Sequence, residues 1–325
     1  MKIALLFGRP GIDMLYTPKA FEELLKVGDV VYKEDYKPED AKEVIENADI
    51  VITTWGSPKL EKELLDCAPN LKLVVHAAGS VKPIVSDELW KRGVRVCAST
   101  KPLGIGVAET SLGLVIASCK NFFQLNDELH QDQFKIHDVK DLYEITVGIV
   151  SAGFVGRHHI KLLNNFGINI LVYDPYVSEE RAAELGAKKV DFETLLKESD
   201  VVSLHAPSIP ATRHIINAET LKLMKKDADL INPARGSLID ENALYEHMVA
   251  GNLKYACLDV YDPEPLPVES PLRTVKNIIL TPHIAGLAIN GKLRIGPHAT
   301  SEIKKFIAGE KPDCEVTESM LATIA

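Results

Sequence analysis

The sequence predicts an α/β protein made of two doubly wound parallel sheets, and three observations predict it. Short apolar runs alternate with longer amphipathic stretches along the whole chain, as repeated strand–helix–strand units require. The runs are nearly continuous in Val, Ile and Leu, which suits strands buried on both faces. They also fall into two sets, and 325 residues suffice for two separate cores at roughly 100–200 residues per domain.

The first set of runs is 2–7, 29–32, 49–53, 71–76 and 94–97, with helical patterns at 17–27, 38–46, 58–66 and 83–92. The run at the N-terminus is short, and Arg9, Pro10 and Asp13 follow at once, so it reads as a first strand rather than a signal peptide. A helical stretch over about 106–130, opened by Gly104 and Gly106 and carrying Leu112, Val115, Ile116 and Cys119, is expected to join the two units. The second set is 145–150, 168–173, 188–190, 200–204, 227–231, 254–258 and 277–280. After Gly286 another helical pattern runs to about 308, and it is expected to cross back onto the first unit.

The formal charge of −9 argues against nucleic acid or an anionic membrane as the main partner. No uninterrupted apolar run approaches the roughly 20 residues that span a bilayer. The cysteines (Cys67, Cys97, Cys119, Cys257, Cys314) are odd in number and lack metal or redox spacing, so no metal is expected and a cytoplasmic location is.

Between a strand and a helix the chain reads Val150-Ser151-Ala152-Gly153-Phe154-Val155-Gly156. A dinucleotide pyrophosphate needs small residues where backbone amides approach it, and a helix N-terminus aimed at its charge. Gly153 and Gly156 meet that need, while Ser151 stands where the fingerprint has its first glycine. Asp174 closes the next strand, where a carboxylate accepts from adenosine ribose hydroxyls and repels a 2′-phosphate; NAD is therefore the expected cofactor. The competing reading of Asp174 is a turn residue before Pro175.

Three further segments each follow an apolar run: Asn232-Pro233-Ala234-Arg235-Gly236, Asp259-Val260-Tyr261-Asp262-Pro263-Glu264-Pro265 and Thr281-Pro282-His283-Ile284-Ala285-Gly286. Singly, they read as a turn with a solvated arginine, a rigid acidic loop and a packed histidine. Jointly they supply what reduction of a 2-oxo acid asks for. A histidine delivers a proton to the developing oxyanion, a carboxylate orients the imidazole, and an arginine holds carboxylate and carbonyl oxygen.

On these motifs the chain resembles the D-isomer-specific 2-hydroxyacid dehydrogenases over nearly its whole length. The resemblance implies a flavodoxin-like substrate domain, 1–100 plus 286–325, and a Rossmann NAD-binding domain, 101–285. It implies Arg235, Glu264 and His283 as the catalytic trio, with His283 as proton donor in reduction. It places Ser151, Gly153, Phe154, Val155, Gly156, Asp174, His205, Ala206, Pro207, Ala234, Asp259 and Gly286 around the cofactor, Asp259 toward the nicotinamide carboxamide. The substrate carboxylate would be held by Ala78, Gly79 and Ser80 with Arg235, while Trp55 and His76, both at first-domain strand ends, are candidate specificity residues. Lys82 departs from the family's usual Asp, which implies altered contacts at the start of the next helix. A homodimer through the NAD domain is implied as well. Two alternatives stay open: a non-catalytic NAD(H)-sensing or scaffold protein of the same fold, and a formate- or phosphite-type dehydrogenase.

Overall fold

The computed structural model describes residues 1–324; Ala325, the last residue of the expected 286–325 segment, lies outside the described residues. One compact unit comprises Met1–Leu103 and Leu287–Ala325, the other Gly104–Gly286.

The first unit contains β1 (Lys2–Leu5), β2 (Asp29–Val31), β3 (Ile50–Thr53), β4 (Leu73–His76) and β5 (Arg95–Ala98). In the sheet they run β5-β4-β3-β1-β2, all parallel, with a C-terminal strand Glu315–Val316 added antiparallel to β5. Side chains alternate across the sheet as the apolar runs predicted. Ile3, Leu5, Ile52 and Val75 face one core, and Ala4, Leu6, Val51 and Val74 face the other. The helix Ile295–Ile307 returns to this unit and buries Ile295, Ala299 and Ile303 in the first of those cores. The strand 315–316 that follows it gave no signal in the sequence, because two residues carry no period. Its register is fixed instead by Arg95, whose Nε and Nη2 donate to the two Glu315 carboxylate oxygens at 2.5 and 3.0 Å.

The second unit contains β6 (Thr146–Val150), β7 (Asn169–Tyr173), β8 (Lys188–Lys189), β9 (Val201–Leu204), β10 (Asp229–Asn232), β11 (Tyr255–Leu258) and β12 (Ile278–Leu280). The order β12-β11-β10-β9-β6-β7-β8 is parallel throughout. The chain reverses its winding direction between β6 and β9, which creates a crevice at their carboxyl ends.

The helix expected over 106–130 is two helices, Thr100–Cys119 and Phe122–His130, broken where Asn121 takes a left-handed φ of 58°. Among the described residues Thr100–Cys119 is one helix long and apolar enough, by length and composition, to cross a bilayer, although Lys101 and Glu109 interrupt its apolar run. Its apolar side chains are used in packing, with Val115 and Cys119 buried against Val147, Ile149 and Ile160. The expected helix at 83–92 shortens to Asp87–Lys91, started by Ser86, whose hydroxyl accepts from the Leu89 amide. Lys82 lies ahead of it and donates from Nζ to the Ile324 carbonyl at 2.7 Å.

Candidate active site

β6 ends in the turn Ser151–Gly153, and Gly153 opens the helix Phe154–Leu163 without a side-chain cap. No side chain therefore competes with a ligand there for the first-turn amides, which are orphan donors at any helix start. A Cβ on Gly156 would sit 2.1 Å from the Ser151 carbonyl oxygen, so packing requires glycine there. At Gly153 nothing lies within 4 Å of the corresponding position. That open space is what close approach of a phosphate needs, and the residues fit a dinucleotide.

Ser151 replaces glycine at a φ of 75°, a left-handed conformation costing a non-glycine residue about 1–2 kcal/mol. Asp174 offsets that cost. Its Oδ2 accepts from Ser151 Oγ at 3.2 Å and from the Ala152 amide at 2.8 Å. Its Oδ1 accepts from the Tyr176 amide at 2.8 Å. The side chain thus braces the turn, and the remaining acceptor position on Oδ1 is what it can offer a ribose hydroxyl.

His205 follows β9 on the other side of the crevice. Its Nε2 lies 3.0 Å from both His159 Nδ1 and Ser203 Oγ, and its Nδ1 is buried without a partner. Burial lowers both imidazoles, His205 to about 3, so this pair is neutral. The His205 Nε2 is thus engaged within the unit. Ala206 is buried and Pro207 half-buried beside it.

Arg235, Glu264 and His283 follow β10, β11 and β12, three adjacent strands of one sheet. Gly236 brings the first two loops together, since a Cβ there would lie 1.9 Å from the Tyr261 backbone carbon. Asn232 Nδ2 donates to the Arg235 carbonyl at 2.9 Å, and its Oδ1 accepts from the Ala234 amide at 3.1 Å. The Arg235 guanidinium is largely desolvated, which lowers its pKa, while the Glu264 charge opposes that shift. Glu264 Oε1 stands 2.6 Å from His283 Nδ1, with both side chains partly exposed. The bond engages Nδ1 and leaves Nε2 to face other chemistry. His283 itself adopts a φ of 53°, so two of the strained non-glycine residues, Ser151 and His283, fall on expected site positions.

Asp259 is the clearest correction. It is 0% exposed, so it has no surface to offer a nicotinamide. Its Oδ1 accepts from Thr281 Oγ1 at 2.5 Å and from the Ile284 amide at 2.9 Å, and its Oδ2 from the Ala285 amide at 2.8 Å. It clamps the loop on both sides of His283. Tyr261, which sequence reasoning passed over, adds a second clamp: its hydroxyl lies 3.0 Å from the Leu258 carbonyl and 2.8 Å from that of Thr281. The signal available was an aromatic with a polar tip directly after an apolar strand, where its hydroxyl needs a partner. Gly286 follows this loop, and the adjacent Ala285 carbonyl accepts from Thr110 Oγ1 at 3.1 Å.

In the other unit, Ala78 is fully buried while Gly79 and Ser80 are half-buried, so backbone rather than the Ala78 side chain is what this loop can present. His76 is not a surface specificity residue. It is 3% exposed, its Nδ1 pairs with Thr53 Oγ1 at 2.8 Å, and its ring also bonds the Ser80 backbone. Burial lowers its pKa to about 4, so it braces the loop as a neutral ring. Trp55 is 41% exposed beside Gly56 and is no core residue.

Residues 112–285 match the family described as D-isomer specific 2-hydroxyacid dehydrogenase, NAD binding domain. The chain is 34% identical over 306 residues to D-3-phosphoglycerate dehydrogenase of Methanocaldococcus jannaschii, covering 92% of this chain and 58% of that one. It is 31% identical over 296 residues to glyoxylate reductase of Korarchaeum cryptofilum, covering 88% of this chain and 89% of that one. It thus spans little more than half of the first relative and most of the second. Its structure is similar to that of the PH0520 protein from Pyrococcus horikoshii OT3, with a TM-score of 0.80 at 29% identity over 98% of this chain and 96% of that one.

Proposed function

The chain belongs to the D-isomer specific 2-hydroxyacid dehydrogenases, NAD-dependent oxidoreductases acting on the CH–OH group, and from that premise we propose that it interconverts a small 2-oxo acid and its D-2-hydroxy acid through Arg235, Glu264 and His283. The observation that carries the assignment is the 2.6 Å contact between His283 Nδ1 and Glu264 Oε1. A carboxylate on one ring nitrogen fixes the orientation of the imidazole, so that the other nitrogen faces the substrate and delivers the proton. In reduction Nε2 gives that proton to the C2 oxygen; in oxidation it takes it back. Arg235 binds the substrate carboxylate and polarises the carbonyl, in a desolvated setting that strengthens its field. Within the first unit, the backbone of Ala78, Gly79 and Ser80 is the loop suited to bind a carboxylate. The nicotinamide cofactor, when bound, would give the hydride as NADH in reduction and accept it as NAD+ in oxidation; Gly153, Phe154, Val155 and Gly156 would hold its pyrophosphate and Asp174 its ribose.

We place the protein in the cytoplasm as a homodimer. Supporting the dimer, Phe134 and Ile136 are 85% and 91% exposed on the segment after the helix Phe122–His130, with Tyr143 beyond them at 69%. Such apolar exposure on one short stretch asks for a covering surface. His283→Ala is expected to lower kcat by about 10²- to 10⁴-fold while leaving NADH affinity near wild type. Near-normal turnover in that variant would remove His283 from the proton transfer and the assignment with it.

A further inference from the structure

Away from these residues, the first unit gathers a second cluster with ligand chemistry. His298 and Glu302 lie one turn apart on the helix Ile295–Ile307, and Cys314 follows that helix just before the edge strand. One atom from each, a ring nitrogen, a carboxylate oxygen and Sγ, lies within 4.8 Å of the other two. Cys314 Sγ is 3.5 Å from His298 Nε2, and Glu302 Oε1 is 4.0 Å from the same nitrogen. Around a tetrahedral zinc ion with ordinary bond lengths such atoms stand about 3.4–3.6 Å apart. The Cys–His edge already has that length, and the His–Glu edge needs to contract by about half an ångström.

Two of the ligands are also held from behind. Ser99 Oγ lies 3.3 Å from His298 Nδ1, which aims Nε2 into the cluster. The Cys314 amide donates to Glu302 Oε2 at 2.8 Å and leaves Oε1 toward the other two. Glu302 is 1% exposed, and a buried carboxylate is costly unless it is paired or binds a cation. Among the described residues, Lys101 and Lys305 both turn to Asp313, at 3.9 and 2.6 Å, leaving Glu302 with the imidazole.

We propose that His298 Nε2, Glu302 Oε1 and Cys314 Sγ form a zinc site that pins the C-terminal strand to the edge of the first sheet. Thiolate, imidazole and carboxylate together suit zinc rather than a hard cation, with water completing the coordination. Binding releases the Cys314 proton to solvent. Sequence spacing hid the site, because Cys314 stands 12 residues beyond Glu302 and apart from every other cysteine.

The full chain, reduced and stripped of metal with a chelator, is titrated with Co²⁺ and then with Zn²⁺. The expected result is a thiolate-to-cobalt charge-transfer band that saturates at one equivalent and is displaced by Zn²⁺. The band should vanish in Cys314→Ser, persist in Cys67→Ser, and need about 10-fold more Co²⁺ in Ser99→Ala. No such band, or a band that survives Cys314→Ser, overturns the proposal. Should circular dichroism show Cys314→Ser unfolded, His298→Gln decides: Co²⁺ affinity reduced at least about 10-fold supports the site, and unchanged affinity refutes it.

Discussion

Replacing Gly153 by alanine should separate cofactor binding from folding. The residue has a φ of −63° and a ψ of −162°, which alanine adopts without strain, and nothing stands within 4 Å of the added methyl. Stability should therefore hold or rise by about 0.4–1 kcal/mol through a less flexible unfolded chain. The methyl instead fills the space that a pyrophosphate must enter to reach the amides of Phe154 and Val155. Losing one charge-assisted hydrogen bond there costs about 1.5–3 kcal/mol, which converts to about 10- to 150-fold weaker NADH binding. Gly156→Ala should behave differently, because its Cβ would strike the Ser151 carbonyl oxygen at 2.1 Å and the turn must shift before any ligand arrives. It should lose about 1–3 kcal/mol of stability together with NADH affinity. Fluorescence titration with NADH and urea unfolding of both variants provide the comparison. Wild-type NADH affinity in Gly153→Ala would show that the turn is not a pyrophosphate cradle.

Asp259→Ala leaves the Ile284 and Ala285 amides and the Thr281 hydroxyl without their acceptor, so it should cost at least about 3 kcal/mol and lower kcat more than NADH affinity. Asp259→Asn, which keeps one acceptor, should recover part of both, and equal kcat in the three proteins would separate the clamp from catalysis. His76 has a folded pKa of about 4 against 6.5 for a free histidine, so the unfolded chain binds its proton first as pH falls. Its contribution of about 3 kcal/mol is whole above pH 6.5 and is lost on the way down to 4. Urea midpoints across that range should fall less steeply in His76→Gln, and parallel curves would contradict the assignment.

The strand runs were legible because a strand buried on both faces must be apolar at successive positions, and Ile149 and Val150 do enter opposite cores. The trio was legible because each member sits a few residues beyond such a strand, where a parallel sheet presents its ligands. What stayed hidden depended on partners distant in sequence. Asp259 and Asp174 stand in chemically suggestive motifs, yet their carboxylates are largely spent on backbone amides of neighbouring loops. His76 read as a specificity candidate at a strand end but is closed in by Thr53 and by the chain at Ser80. Ser151 looked like a defect in the fingerprint, and its hydroxyl bond to Asp174 explains how a side chain is tolerated there. The 315–316 strand exists only because a helix returns the chain to the sheet edge.

Hydride transfer between NAD and C2 of a 2-oxo acid is the activity proposed for this chain. Its most direct test is NADH oxidation by the wild-type protein against glyoxylate, hydroxypyruvate, pyruvate, phenylpyruvate and 3-phosphohydroxypyruvate, with chiral analysis of the product wherever C2 becomes stereogenic. Turnover of at least one acid to the D-isomer, or of glyoxylate, is the predicted result. Tight NADH binding with none of the five reduced would contradict the claim and favour the sensing protein or a different hydride donor.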